Sequence, residues 1–365
     1  MDSEIAPPLQ VAWSYPRIVT FRLARVLDRV VGLLSPSGLV GLTLDGKERW
    51  AAEDATSQLV VQEHEAFTTG NGYLFRVNIE NGKAISQPFR GTLLQLDLDE
   101  QRLVVKRYRS DRTVGRYRSS VSCHLAANVD GEPLWEHYDE GSLTQSTPFS
   151  MEFAVTTNRL IVGKGSARLL SIDTESGIVK WNIDLNATKR EIGVGVPADL
   201  RSAPLVAGHI VLAPTPFGFG ALELETGELL WRHGVHAGPF NVYEDRLYMA
   251  TGINFTGYRI VDMNTGETLF ERDVSDEIAK KYRFGHVKLN SGFALTETHT
   301  FVGDNFGRLW ALVRDTGEPV WYHHPDNATP YVALRQPVME DNRLYINGFS
   351  TDPNRPQHLH CYEQA

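Results

Sequence analysis

The sequence is poor in cysteine and in long apolar runs, and each shortage excludes a class of protein. Its 365 residues include only Cys123 and Cys361, too few for a disulfide framework or a cysteine-based zinc site. We interpret both cysteines as small buried hydrophobic residues. No apolar run approaches the roughly 20 residues that a membrane-spanning helix requires, so we predict no membrane span.

Positive charge is also in short supply. Lysine and arginine number 36 against 45 acidic residues, which gives a formal net charge of −9. Nucleic-acid binding depends on a basic surface that neutralises phosphates, so this balance argues against a nucleic-acid partner. Residues 1–8 lack the basic and then apolar pattern of a secretory signal. We therefore expect a cytoplasmic protein, or a periplasmic or secreted one whose leader has been removed.

A short phrase recurs along the chain: an apolar strand, a turn that ends in glycine, and an aromatic residue four positions later. The steps between turn glycines are 36 to 51 residues, and a period of about 45 built from short strands is typical of β-propeller blades. The turn glycines are Gly46, Gly82, Gly131, Gly177, Gly227, Gly266 and Gly317. The aromatic position holds Trp50, Trp135, Trp181, Trp231, Phe270 and Trp321, whereas the copy around Gly82 has Ser86 there.

The two ends of the chain supply one further blade between them. The segment from about 334 to 362 contains predicted strands but lacks the final strand with its aromatic residue. Residues 9–15 form an unpartnered predicted strand that carries Trp13, so we expect them to complete that blade and close the ring.

We predict one all-β domain spanning residues 1–365, an eight-bladed β-propeller of four-stranded antiparallel blades. Seven blades is the alternative if the weak copy is not a blade. A blade cannot bury both of its faces alone, so Trp13 and the repeat aromatics are expected to dock between neighbouring sheets.

The phrases Ala221 to Trp231, Ala311 to Trp321 and Ser171 to Trp181 resemble the tryptophan-docking motif of PQQ-like repeats in the quinoprotein alcohol dehydrogenase-like superfamily. The resemblance covers essentially the whole chain and implies the propeller fold. That superfamily contains dehydrogenases, usually with adjacent cysteines beside the quinone and a set of calcium ligands, and non-catalytic scaffolds of the BamB type. This chain has no adjacent cysteines and no recognisable calcium motif, so it resembles the non-catalytic branch.

Three segments predicted to be loops on one rim are rich in basic residues; the first, 106–118, contains six basic residues and one acid. Long loops in compact repeats usually carry function, and arginine binds carboxylate or phosphate through two parallel hydrogen bonds. The residues that we predict to bind an acidic partner or an anion are Arg107, Arg109, Arg112, Arg116, Arg118, Lys189, Arg190, Lys280, Lys281 and Arg283. Solvated charges scattered over hairpins are the alternative.

Histidine offers the weak candidates for a metal site. His358 and His360 lie two apart on a predicted strand, so both rings are expected on one side of it. Since no third ligand is close in sequence, we predict polar residues at a rim and no metal. No cofactor is predicted either; PQQ with Ca²⁺ is the alternative that the resemblance implies.

These patterns favour a monomeric, non-enzymatic scaffold that binds a protein partner through a loop-rich, partly basic rim. The alternative is an enzyme that binds a PQQ-like quinone or a sugar in the central funnel, since propellers offer a concave polar pocket at their axis. A bound chromophore or stoichiometric Ca²⁺ would distinguish the two.

Overall fold

The computed structural model of the chain describes most of its residues, and nearly all of these lie in antiparallel strands. The described ranges are 5–16, 18–26, 29–34, 38–52, 57–62, 64–70, 73–88, 92–99, 102–111, 116–125, 132–142, 153–164, 168–184, 204–215, 218–234, 237–252, 254–324, 332–334, 337–340, 342–350 and 358–365.

The strands follow one another in groups of four, each group forming a sheet in which consecutive strands are hydrogen-bonded neighbours. After β1 (Leu9–Pro16), the first group is β2 (Ile18–Val26), β3 (Arg29–Leu34), β4 (Leu39–Thr43) and β5 (Glu48–Ala52). The second is β6 (Ser57–Gln62), β7 (Glu65–Gly70), β8 (Tyr73–Asn78) and β9 (Ala84–Pro88). The third is β10 (Thr92–Asp99), β11 (Arg102–Asp111), β12 (Arg116–Leu125) and β13 (Trp135–Ser142).

The pattern continues through the second half of the chain. The next groups are β14 (Phe153–Val155), β15 (Arg159–Lys164), β16 (Arg168–Asp173) and β17 (Val179–Asp184), then β18 (Leu205–Ala207), β19 (Ile210–Thr215), β20 (Gly218–Glu223) and β21 (Leu229–His233). The group β22 (Ala237–Tyr243), β23 (Arg246–Thr251), β24 (Gly257–Asp262) and β25 (Thr268–Asp273) is followed by helix α1 (Val274–Tyr282). The last strands are β26 (Ala294–Leu295), β27 (His299–Gly303), β28 (Leu309–Val313), β29 (Pro319–His323), β30 (Val332–Leu334), β31 (Val338–Glu340), β32 (Arg343–Ser350) and β33 (His358–Gln364).

The N-terminal strand closes the last sheet, as predicted. β1 pairs antiparallel with β33, in a register that runs from Leu9 opposite Gln364 to Pro16 opposite His358. The sheet order is β1-β33-β32-β30, and β31 also pairs with β32. Strands from opposite ends of the chain therefore share one ladder of hydrogen bonds.

The chain is an eight-bladed β-propeller, which confirms the predicted fold class. The weak copy around Gly82 forms the complete sheet β6–β9, with Ser86 opposite Phe75, so the count is eight and not seven. The sequence prediction did not include helix α1.

The residues divide into two compact units, Asp54–Gly234 and the combination of Met1–Glu53 with Val235–Ala365. In the first unit the leading strands of successive sheets contact one another in the order β6, β10, β14, β18. In the second unit β22 contacts β26, and β26 contacts β31. The single-domain prediction stays a prediction.

Within each unit, an indole from one sheet lies on the turn between the third and fourth strands of the next sheet. Trp181 Nε1 donates to the Leu224 carbonyl oxygen at 2.9 Å, and a Cβ on Gly227 would lie 2.7 Å from the Trp181 ring. Trp135 donates likewise to Thr174 at 2.8 Å and lies against Gly177, and Trp13 donates to Leu44 at 2.7 Å and lies against Gly46. The described turn glycines of the repeat, Gly46, Gly82, Gly177, Gly227, Gly266 and Gly317, all have positive φ.

Trp321 packs against a core cluster that includes Leu344 and Tyr362 of the closing sheet. Trp50 and Trp231 are buried in the positions that the repeat assigns them. Gly131 lies outside the described residues.

The structure differs from the sequence prediction at Phe270. Phe270 lies opposite Ile260, as Trp231 lies opposite Ala221, but the ring over the next turn glycine, Gly317, belongs to Tyr258 of β24. Tyr258 donates its hydroxyl to the Arg314 carbonyl oxygen at 2.7 Å. Phenylalanine has no donor for that carbonyl, so a tyrosine from the adjacent strand supplies both the ring and the hydrogen bond.

Acidic side chains shape the repeat turns. Asp173 Oδ1 accepts from the Ser176 amide at 2.9 Å and from the Ser176 hydroxyl at 2.8 Å. These two hydrogen bonds lower the pKa of Asp173 to about 2. Asp262 accepts from the Thr265 amide at 2.8 Å, which also lowers its pKa. Both carboxylates serve turn geometry, because a side-chain acceptor stabilises a turn two or three residues ahead of it.

The docking contact predicts that two glycine substitutions in one sheet lower the free energy of unfolding by different amounts. A Cβ on Gly208 (φ +58) would have no other atom within 4 Å, whereas a Cβ on Gly227 (φ +72) would meet Trp181. We expect Gly208→Ala to cost about 1 kcal/mol from backbone strain alone, and Gly227→Ala about 2–4 kcal/mol because overpacking is added. Urea unfolding of both variants measures this, and equal costs would contradict the docking geometry.

Candidate functional site

The first predicted basic segment, 106–118, is mostly strand and not loop. β11 continues to Asp111 and β12 begins at Arg116, and the register sets Arg109 opposite Arg118 and Asp111 opposite Arg116. Arg107 also lies in β11. The side chains of these arginines, and all of Arg112, Lys189 and Arg190, lie outside the described residues. Their predicted role in binding stays a prediction.

The third predicted basic segment, near residues 275–290, is well described, and it begins as a helix where a loop was expected. Asp273 is the N-cap of α1, and its side chain accepts from the Asp276 amide at 3.0 Å. Val274 and Ile278 lie one turn apart and are buried, which fixes the inner face of the helix. The helix ends where Arg283 adopts the left-handed conformation (φ +57) and donates its backbone N–H to Ala279.

Helix α1 is fastened to strand β29 and to the loop that follows the helix. Lys281 Nζ donates to the Pro319 carbonyl oxygen at 2.8 Å, and the Tyr282 hydroxyl donates to the same oxygen at 3.3 Å. Ser275 Oγ accepts from the Val287 amide at 2.9 Å. Helix α1 is therefore held in place near its first residue and at its last two residues.

Four aromatic side chains gather beside α1: Tyr282, Phe284, Trp310 and Tyr322, which we call the aromatic cluster. Tyr322 meets both Tyr282 and Phe284 edge to face with ring centroids 5.3 Å apart, and it lies 5.1 Å from Trp310. Trp310 is fully buried, whereas Tyr322 is 37% exposed. Sequence reasoning missed this cluster because its members come from three separate segments.

A buried ion pair, Asp304 with Arg308, contacts two members of the aromatic cluster. Asp304 is fully buried and accepts from Arg308 Nε at 2.6 Å and from Trp310 Nε1 at 2.8 Å. It also accepts from the Phe306 and Arg308 amides at 2.7 and 3.0 Å. The Arg308 guanidinium lies over the Phe284 ring, 4.1 Å from its centroid. The carboxylate thus fixes the loop, the arginine and the tryptophan together.

The last turn of α1 and the loop after it are rich in positive charge, whereas the first turn carries Asp276 and Glu277. Residues 280–288 contain Lys280, Lys281, Arg283, His286 and Lys288 and no acid. Lys280 lies 3.9 Å from Glu277, and Lys281 lies 3.5 Å from Glu318. Arg283 and Lys288 are exposed, and neither side chain has a hydrogen bond or an ion pair to another described residue. Of the predicted binding residues, the structure brings Lys280, Lys281 and Arg283 together here.

His358 and His360 lie on one side of β33, as their spacing predicts. Their rings stack with centroids 5.9 Å apart, and His360 Nδ1 lies 2.7 Å from Ser14 Oγ in a hydrogen bond. Burial lowers the pKa of His358. Among the residues that the structure describes, no three His, Cys, Asp or Glu side chains are grouped as a metal site would require.

The two cysteines are buried in separate sheets, Cys123 on strand β12 and Cys361 on strand β33. Burial raises the pKa of Cys361 to about 11, which keeps this thiol protonated near neutral pH. These cysteines do not fit the adjacent pair that accompanies the quinone in the dehydrogenases that the repeat resembles. The absence of a cofactor stays a prediction.

Comparison with known proteins agrees with this architecture. The model of the family described as outer membrane protein assembly factor BamB matches residues 28–243 and 219–352. The chain belongs to this family. No curated protein matches the chain significantly. In the described part of the chain, no helix is both long and apolar enough to cross a membrane.

Solved structures share the fold at low sequence identity. The crystal structure of BamB from Moraxella catarrhalis is 15% identical, with a TM-score of 0.69 over 97% of this chain and 99% of that one. The computationally designed Ika8 protein is 12% identical, with a TM-score of 0.66 over 98% of both chains. The quinohemoprotein alcohol dehydrogenase from Comamonas testosteroni is 11% identical, with a TM-score of 0.67 over 97% of this chain and 76% of that one. At these low identities, the likenesses show the fold alone.

The buried ion pair predicts a large cost for losing one carboxylate. We expect Asp304→Asn to lower the free energy of unfolding by about 3–5 kcal/mol, because Arg308 is left buried without its counter-charge. Asp315→Asn is the matched control, since Asp315 pairs with Arg246 and Arg314 but is about half exposed; it should cost under about 1 kcal/mol. Urea unfolding measures both values. A similarly small loss of unfolding free energy in both variants would contradict a structural role for the buried ion pair.

Proposed function

We propose that this chain is a non-catalytic scaffold that binds a protein partner at the surface formed by α1, residues 283–288 and Tyr322, here called the α1 surface. The proposal is supported by two exposed cations, Arg283 and Lys288, that have no side-chain partner among the described residues and lie in or directly after the segment that carries Tyr282 and Phe284 of the aromatic cluster. Arginine and aromatic side chains are the types most enriched at protein interfaces.

The α1 surface is held in place before any partner arrives. Asp304 ties the loop under the cluster to Arg308 and Trp310, and Lys281 and Tyr282 both bind the Pro319 carbonyl oxygen. A preorganised surface loses little conformational freedom on binding, which favours affinity. A rigid docking surface suits a scaffold.

The cationic stretch 280–288 favours an acidic partner at this end of the α1 surface. The chain as a whole has a net charge of −9, so the cationic stretch 280–288 is a local exception. Complementary charge speeds association and selects partners more than it adds affinity. The family description, an assembly factor, is consistent with a scaffold role for this chain.

If the α1 surface binds an acidic partner, reversing the charges of Arg283 and Lys288 should reduce capture of that partner. We expect Arg283→Glu with Lys288→Glu to reduce the amount of the main co-purifying protein at least about fivefold, because like charges would now face an acidic partner. Affinity purification from a native lysate, followed by quantitative mass spectrometry, measures this.

Arg49→Glu with Lys83→Glu provides the matched control. Both residues are exposed beside repeat turns, neither makes a side-chain ion pair with another described residue, and the change in net charge is the same. Capture should survive in this control. Equal capture by both double variants would show that the α1 surface does not bind the partner.

A further inference from the structure

We propose that the segment bound at the α1 surface combines a large aromatic or aliphatic anchor with neighbouring carboxylates. The anchor packs on Tyr282, Phe284 and Tyr322, and the carboxylates pair with Arg283 and Lys288. This inference rests on the proposed function and specifies the chemistry of the partner.

Comparison of the repeat copies shows that the aromatic cluster is not required by the fold. The residue after each repeat aromatic, Trp13 included, lies opposite a residue of the third strand, and seven such pairs are described. They are Ser14–His360, Val40–Ala51, Ser122–Glu136, Leu170–Asn182, Gly220–Arg232, Arg259–Glu271 and Trp310–Tyr322. Six pairs contain no phenylalanine, tyrosine or tryptophan, whereas the seventh consists of two such residues. The repeat tolerates alanine or asparagine where Tyr322 stands.

The connection before this blade extends the aromatic surface. Tyr282 and Phe284 come from the segment between β25 and β26, and their rings are nearly parallel with centroids 6.5 Å apart. An exposed apolar patch of this kind, rimmed by charge, is typical of a surface that another protein covers.

The charges around the rings exclude a cage for a cationic ligand. Aromatic clusters can bind ammonium groups through their ring faces. Here Lys281 already lies 5.7 Å from the Tyr282 centroid and Arg308 lies 4.1 Å from that of Phe284. Additional cations would be repelled, so the anchor is neutral.

The two exposed cations belong to the segment that carries two of the rings. Arg283 stands between Tyr282 and Phe284 in the chain. Lys288 lies beside the loop that carries Arg308, because its amide donates to Asn305 Oδ1 at 2.8 Å and its carbonyl oxygen accepts from the Asn305 amide at 3.1 Å. Arg283 directly precedes Phe284 in the chain and Lys288 follows four residues after it, so we expect acidic neighbours of the anchor to pair with both cations. Since exposed ion pairs contribute little affinity, the anchor supplies most of the binding and the charges supply selectivity.

Selection of random dodecapeptides displayed on phage, against the full chain, tests this inference. Phage that bind the Tyr322→Asn variant are removed first, so that binding of the remaining peptides depends on the aromatic cluster. Asparagine is chosen because Asn182 occupies the equivalent position in another copy. We expect enriched peptides to carry Trp, Phe, Tyr or Leu beside two or more acidic residues.

Synthetic copies of the enriched peptides then give dissociation constants by calorimetry. We expect about tenfold weaker binding to Tyr322→Asn and several-fold weaker binding to Arg283→Glu with Lys288→Glu. Tyr138→Asn, which removes a half-exposed tyrosine from outer strand β13, is the control and should bind as the unaltered chain does. Circular dichroism and thermal midpoints verify that each variant folds.

Each outcome separates the two proposals. Enriched peptides without acids, enriched peptides without an apolar anchor, or the absence of any peptide that depends on Tyr322 would overturn the inference. If charge reversal still abolishes capture of the native partner, the scaffold function survives that failure. If capture is also unaffected, both proposals fail.

Discussion

An aromatic ring of one sheet lying on the turn glycine of the next is the contact on which the rest of this structure depends. A four-stranded sheet has two faces to cover, and in a propeller the neighbouring sheets cover them. Gly177 and Gly227 leave room for an indole that any side chain would displace, and they also take a positive φ that other residues rarely adopt. The indole N–H then binds a carbonyl oxygen of the same turn, which fixes the distance and the angle between sheets.

The repeat made the fold predictable from sequence, since glycine and aromatic positions recur at a nearly constant spacing. The pairing of β1 with β33 was predictable because a strand with Trp13 at one end matched a missing strand at the other. The docking role of Tyr258 could not be predicted. Tyr258 lies on the third strand of its sheet, and its contact with the turn of the next sheet depends on how the two sheets pack. Segment 106–118 is largely strand because the pairing of β11 with β12 continues past the buried residues Leu103 to Val105.

The candidate site arises where the chain departs from its repeat. Helix α1 lies between blades, so the period of about 45 residues gave no indication of it, although Asp273 followed by Asp276 and the pair Val274 and Ile278 are local helix signals. The aromatic cluster depends on the register that sets Trp310 opposite Tyr322 and on a helix that delivers Tyr282. The repeat thus provides a rigid support, and its exceptions provide a distinct surface.

A double-mutant cycle between Trp13 and Gly46 tests the docking contact most directly, at the seam where the chain closes. A Cβ on Gly46 would lie 2.5 Å from the Trp13 ring, so the ring should account for much of the cost of Gly46→Ala. We predict that Gly46→Ala costs about 1–2 kcal/mol less in a Trp13→Leu background than in the unaltered chain. Equal costs in the two backgrounds, within about 0.5 kcal/mol, would contradict the account.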